Sequence, residues 1–174
     1  FMSPFVGDLE NLETFASYEH TINHFKAAYK IQPEAYACDL HPDFLSTQYA
    51  KDQAEKNHKP LIQIQHHHAH LAACLAENCW PKGKPAIGVI LDGTGLGEDH
   101  AIWGGEFLVG DYSTFTRAFH LEYLPLPGGD SAIHTPAKIA LAYLHHYHLE
   151  WDESLAPVRY FSHIQKELLR KQLD

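Results

Sequence analysis

The run PAIGVILD, residues 85–92, is the feature that most limits what this chain can fold into. It is apolar almost without interruption, and such runs belong to strands buried on both faces. Trp80-Pro81-Lys82-Gly83 breaks the chain before it, and the glycine-rich LDGTGLGED follows. HAIWGGEFLVGD and STFTRAFHLEYLPLP then read as successive strands of a meander, separated by glycine-containing turns. A sheet is required, and something must cover it.

Helices supply the cover. The spacing predicts a helix over GDLENLETFASYEHTINHFKAAYKI, with Asp8 as N-cap and Leu12, Phe15, Ile22, Phe25 and Tyr29 at apolar positions, ended by Pro33. EAYACDL is a short strand that stops at the turn Asp39-Leu40-His41-Pro42. FLSTQYAKDQAEKN returns to helical spacing until Lys59-Pro60 breaks it. LIQIQ alternates like a strand, and HHHAHLAACLAENC is rich in helix formers. After the meander, PGGDSAIHTPAKIALAYLHHYHL opens in a turn and becomes a helix near Pro136, a residue suited to a first turn. ESLAPVRYFSHIQKELLRKQLD is helical to its end. Alternating helices and strands make the class α/β.

Composition excludes several functions. Hydrophobic residues are 45% and charged residues 20%, the balance of a globular chain. No apolar run approaches the roughly 18 residues of a membrane span, and no secretory signal precedes the first helix. Thirteen basic against 22 acidic residues give a net charge of −9, which repels a phosphate backbone and argues against nucleic acid as partner. Cys38, Cys74 and Cys79 are odd in number and form no CxxC pair, as expected of idle thiols in a reducing cytoplasm. Phe1 in place of Met leads us to expect a segment of a longer protein.

The 15 histidines are the unusual feature, and four of them fall within five positions at HHHAH, residues 66–70. On a helix that begins near Gln65, His66 and His70 share one face, the spacing by which a helix offers two imidazoles to one metal ion. The simpler alternative is a polar helix start whose histidines cap and hydrogen-bond. Two ligands are too few for a catalytic metal, which usually has about three protein ligands and an open position, so a third must come from elsewhere. His67 and His68 are rotated off that line and would serve as donors to the ligands, as substrate contacts or as solvated residues.

Two glycine motifs remain. Asp92, Gly93, Thr94 and Gly95 form a strand-turn-strand that either lets backbone N–H groups converge on phosphate or is a plain hairpin turn. Gly128, Gly129 and Asp130 let a ligand approach the backbone, or simply lead into the next helix with Asp130 as its cap. His145, His146 and His148 lack an acidic or sulfur partner at ligand spacing and read as a solvated or interfacial helix end.

Taken together and in order, ACDLHPDFLSTQYA, QIQHHHAHLA, LDGTGLGEDHAIWGGEFL and LPLPGGD closely resemble the HypF family, the carbamoyltransferases of nickel–iron hydrogenase maturation. GDLENLET near the start fits the same family. The resemblance places residues 1–174 in part of the carbamoyl-transfer domain, which is similar to TsaD. It implies the ribonuclease H-like fold of the actin-like ATPase superfamily, as a partial domain. The acylphosphatase, zinc-finger and YrdC-like domains of complete HypF proteins are absent here, so the chain alone is expected to be inactive.

The resemblance also implies roles. His66 and His70 would ligate a divalent metal, zinc or iron, with a later aspartate as third ligand, expected beyond residue 174. Asp92 to Gly95 would form a nucleotide-phosphate loop, and Gly128 to Asp130 would border the same cleft. HypF-like proteins make carbamoyl adenylate from carbamoyl phosphate and ATP, then pass the carbamoyl group to the C-terminal cysteine of a HypE-like partner. After PGGD the family often carries arginine, whereas this chain has SAIHTPAKIA, with His134 and Lys138 as its positive character. Small-molecule O-carbamoyltransferases share the domain and the HxxxH spacing, and a His-rich metal carrier would use clusters such as His145, His146 and His148.

Overall fold

Two strands lying parallel give the fold its functional end. β1 (Tyr36–Asp39) and β2 (Leu61–Ile64) pair with Tyr36 opposite Leu61 and Asp39 opposite Ile64, and α2 (Leu45–Lys56) makes the crossover. The register sets Asp39 beside the end of β2, one residue short of the cap of α3 (His66–Glu77). The structure, a computed structural model, describes residues 2–9 and 11–174, with the Asp130 side chain outside the described atoms.

Before this unit, α1 spans Leu12–Ala28. Its cap is Asn11 rather than Asp8: the Asn11 Oδ1 accepts from the Thr14 N–H at 2.9 Å, three residues on, a reach that Asp8 lacks. Lys30 turns out of the helix at φ 53° ahead of Pro33.

After α3 come β3 (Ala86–Leu96), β4 (Ile102–Gly110) and β5 (Phe115–His120), an antiparallel meander in the order β3-β4-β5. Leu71 and Leu75 of α3 pack on Trp103 and Leu108 of β4, with Ile90 of β3 alongside. Gly88 allows this approach, because a Cβ there would lie 2.8 Å from Leu71 Cδ1.

Two expectations fail in β3. It is not buried on both faces: Ile87, Val89 and Leu91 are 74%, 57% and 74% exposed, because among the described elements helices cover one face of the meander. Nor do Asp92 to Gly95 form a turn. The strand runs on to Leu96, with its pairing to β4 slipping between Leu91 and Gly95, and the reversal comes at Gly97–Ala101, where the Gly97 N–H donates to the Ala101 carbonyl at 2.9 Å. Neither Gly93 nor Gly95 has a positive φ.

A 3₁₀ turn (Gly129–Ala132) leads to α4 (Pro136–His146), α5 (Ala156–Arg159) and α6 (His163–Leu173). These close a second core around Leu141, Trp151, Val158, Phe161 and Leu169. The last helical segment is divided, not continuous, because Ser162 starts a new helix with a capping box to Gln165.

Candidate metal centre

Gln65 is the hinge between β2 and α3. Its backbone is extended at φ −65° and ψ 130°, and its Oε1 accepts the His68 N–H at 2.8 Å, so it caps the helix that His66 begins. His66 therefore emerges next to Asp39, and its Nδ1 lies 2.6 Å from Asp39 Oδ2. That carboxylate is held in turn, with Oδ1 accepting the His41 N–H at 2.8 Å. Donation from Nδ1–H leaves the His66 Nε2 as a lone pair aimed away from Asp39, the arrangement seen where a carboxylate orients a metal-binding imidazole.

What that nitrogen faces comes from β3 and from one turn along α3. His66 Nε2 is 3.1 Å from Asp92 Oδ2 and 3.2 Å from His70 Nε2, and His70 Nε2 is 3.7 Å from the same Asp92 oxygen. All three ligand atoms fall within 4.8 Å of one another. Asp92 Oδ1 accepts its neighbour Gly93 N–H at 2.7 Å, while Oδ2 is buried and has no hydrogen-bond partner. An orphaned carboxylate oxygen beside two imidazole nitrogens is a donor set suited to a divalent cation. His70 is 54% exposed, so one side of the cluster is open.

The other two histidines of the run are packed into the fold. His67 is fully buried against Trp103, with ring centroids 5.7 Å apart. Its burial lowers the imidazole pKa below the ordinary value, against the opposing pull of Asp92. Gly95 makes room for it, since a Cβ there would lie 2.5 Å from His67 Cε1. The His68 Nε2 lies 2.9 Å from the Asp111 carbonyl oxygen and its ring packs on Phe115.

Asp92 is also the wall between two cavities. One, about 520 Å³, is lined by Asp92, Gly93, Trp103, Glu106, Tyr123 and Tyr143 among others, and the second, about 380 Å³, runs from His70 and Cys74 along β3. Of the residues expected at a nucleotide, Asp92 and Gly93 line the larger cavity, and Thr94, Gly95, Gly128 and Gly129 do not. The two glycine motifs are still neighbours, for a Cβ on Gly93 would lie 2.7 Å from the Ile133 side chain. Gly128 and Gly129 take φ of 83° and 58°, and Lys138 Nζ donates to Ser131 Oγ over Gly128 at 2.7 Å. The expected role of the Asp130 side chain lies outside the described atoms.

A charged network backs the larger cavity and was not foreseen. Glu106, 1% exposed, accepts from the Gly104 and Gly105 N–H groups and from Arg117 Nε at 2.6 Å. Arg117 lies 4.0 Å over the Trp103 ring and reaches Asp99, which also accepts from Tyr123 and Trp103. The Tyr123 hydrogen bond is the main cause that lowers the Asp99 pKa to about 2. A glutamate inside the apolar strand WGGEFL was the available signal. At the far helix end, His145 and His146 do have acidic partners, Asp174 at 3.3 Å and Glu122 at 3.1 Å, brought from distant parts of the chain.

Comparison with known proteins decides the family. Residues 1–77 match the HypF Kae1-like domain, and residues 88–174 match the second subdomain of the carbamoyltransferase Kae1-like domain. The chain belongs to the HypF Kae1-like family. It is similar to carbamoyltransferase HypF2 of Cupriavidus necator, 46% identical over 145 residues, which are 83% of this chain and 18% of that protein. HypF of Rhodobacter capsulatus is 45% identical over 141 residues, 80% of this chain and 19% of that protein. A crystal structure of full-length HypF in its phosphate- and nucleotide-bound form matches with a TM-score of 0.82 at 37% identity, covering 99% of this chain and 22% of that one. The chain thus spans a minor part of the length of these HypF proteins, and its fold is the α/β, ribonuclease H-like fold of their Kae1-like domain. No described helix is long and apolar enough to cross a membrane.

Proposed function

We propose that residues 1–174 are part of a carbamoyl-transfer domain in which His66, His70 and Asp92 hold one divalent metal ion, zinc or iron. The observation that carries this is the convergence of two imidazole nitrogens on the buried, unpartnered Asp92 Oδ2. Asp92 thereby supplies a third donor from within the chain, and its role shifts from phosphate loop to ligand. Two nitrogens and one oxygen with an open side suit a catalytic site. A metal bound there would polarise an acyl or phosphoryl oxygen as a Lewis acid.

The chain's own residues orient and hold. Asp39 fixes the His66 ring, Gly95 lets the start of α3 lie on β3, and the cavities on either side of Asp92 give reactants access. The HypF of similar structure binds phosphate and nucleotide, which supports ATP, carbamoyl phosphate and carbamoyl adenylate as the nucleotide chemistry. Gly93 borders that nucleotide from the larger cavity, beside the Asp92 ligand, while Thr94, Gly95, Gly128 and Gly129 lie off its lining. The acceptor is the C-terminal cysteine of a HypE-like partner, in the cytoplasm. Its sulfur bonds to the carbamoyl carbon, the bond from that carbon to the AMP oxygen breaks, and the thiol proton is released. No cysteine of this chain is needed, and burial raises the pKa of Cys38, the reverse of an activated nucleophile.

The test uses a full-length protein carrying this sequence, as wild type and as His66→Ala/His70→Ala, with ATP, carbamoyl phosphate and a peptide ending in cysteine. A carbamoyl adduct on the peptide thiol with wild type alone, read by mass spectrometry, is the expected result. An adduct formed equally by the double variant removes the two histidines from the reaction.

A further inference from the structure

His66 and His67 are adjacent, yet their hydrogen bonds put the imidazole hydrogen on opposite nitrogens. The Gln65 amide decides the second case. Its Oε1 is taken by the His68 N–H at 2.8 Å, so the Nε2 end must donate, and it faces the Leu96 carbonyl at 3.3 Å and the His67 Nδ1 at 3.2 Å. The His67 Nδ1 is therefore an acceptor and its Nε2 carries the hydrogen. His66 is the reverse, with Nδ1–H given to Asp39 and Nε2 left as a lone pair.

That Nε2–H of His67 has no partner. Among the described residues, three buried side-chain polar atoms lack one: His67 Nε2, Asp92 Oδ2 and Arg117 Nη2. The first two are a donor and an acceptor facing each other at 3.8 Å, too far for a hydrogen bond. The ring cannot swing closer, being fully buried beside Trp103 and pressed on Gly95. An orphaned buried donor is costly, so one that faces the shared Asp92 carboxylate from the closed side of the cluster marks the place of an acceptor.

We propose that the His67 Nε2–H donates a hydrogen bond to an oxygen of the ligand seated at the His66–His70–Asp92 centre, a carbonyl or carboxylate-like oxygen, and that His67 is not a metal ligand. This rests on the metal-site reading above and adds a residue to it. Under that reading the acceptor is the acyl oxygen of the carbamoyl group, where a fixed donor in a dry wall stabilises growing negative charge.

A full-length protein carrying this sequence, labelled with ¹⁵N at histidine alone, reports the tautomer directly. Long-range ¹H–¹⁵N spectra, assigned by loss of signals in His67→Gln, are expected to show His67 protonated at Nε2 alone. Protonation at Nδ1 overturns the proposal. The second arm loads cobalt(II) and titrates acetate as the oxygen probe, followed by visible absorption. His67→Phe is expected to keep the cobalt affinity of the wild type and bind acetate about tenfold to a hundredfold more weakly, while His67→Gln, which retains an N–H, recovers part of the loss. Equal acetate binding by His67→Phe, or no acetate response in wild type, overturns the donor role. Loss of cobalt by His67→Phe or by His67→Gln makes His67 a ligand or a structural support instead. Unchanged cobalt affinity in His66→Ala is the separate result that would defeat the metal site itself.

Discussion

His66 Nδ1 lies 2.6 Å from Asp39 Oδ2, so the first residue of α3 is tied to the last residue of β1. The bond joins residues 27 positions apart and turns the lone pair of His66 toward Asp92. Its removal should be felt as metal affinity before it is felt as stability. For Asp39→Ala we expect metal binding to weaken about tenfold to a hundredfold, measured by competition with a chromogenic chelator. Affinity unchanged from wild type would show that the His66 ring is oriented by something else.

Gly95 is required by contact rather than by backbone angle. An added Cβ would meet His67 Cε1 at 2.5 Å and the His66 ring at 2.9 Å, and both rings are held by other partners. Gly95→Ala should cost about 1–3 kcal/mol in urea unfolding, with lowered metal affinity. A variant as stable as wild type would mean that α3 slides freely on β3.

Buried Glu106 and half-buried Arg117 form an ion pair in the meander, 2.6 Å apart. Glu106→Ala strips the arginine and two backbone N–H groups of their acceptor together, and we expect a loss of about 3–5 kcal/mol. Arg117→Ala in the same background should add little more, so a double-mutant cycle by chemical denaturation checks the coupling.

Asp99 gives the network its acid sensitivity. Its carboxyl is lowered from 3.8 to about 2, first through the hydrogen bond from Tyr123. A lowered folded value means a contribution fully present above the unfolded value and lost as pH falls through the folded one. The stability advantage of wild type over Asp99→Asn should therefore be level above about pH 5 and shrink between pH 4 and pH 2. Asp99 is 42% exposed, and raised salt should narrow the difference. An advantage that persists at pH 2 would place its origin elsewhere.

The histidine pair was legible because helical spacing is local: His66 and His70 share a face whatever lies around them. The order of helices and strands was legible for the same reason. Asp39 and Asp92 were not seen as partners of His66, since one is brought by a parallel register and the other by a slipped strand pairing, and neither leaves a mark on short stretches of sequence. The alternation in Ile87, Val89 and Leu91 was masked by Gly88 and Ile90 between them, which are apolar for the sake of Leu71. Spacing leaves His67 open between a donor to the ligands, a substrate contact and a solvated residue, and its full burial removes the last. Its value lies in which nitrogen holds the hydrogen, and that depends on Gln65.

The open face of β3 has a calorimetric consequence. Unfolding raises the heat capacity by about 12–15 cal/mol/K per residue in an ordinary domain, because folded chains hide most of their apolar surface. Ile87, Val89, Leu91 and Phe119 already meet water in the folded chain, at 57% to 74% exposure, and melting exposes little more of them. The heat-capacity step should fall short of what 174 residues would give. The curve of stability against temperature should be correspondingly flat, slow to decline on either side of its summit.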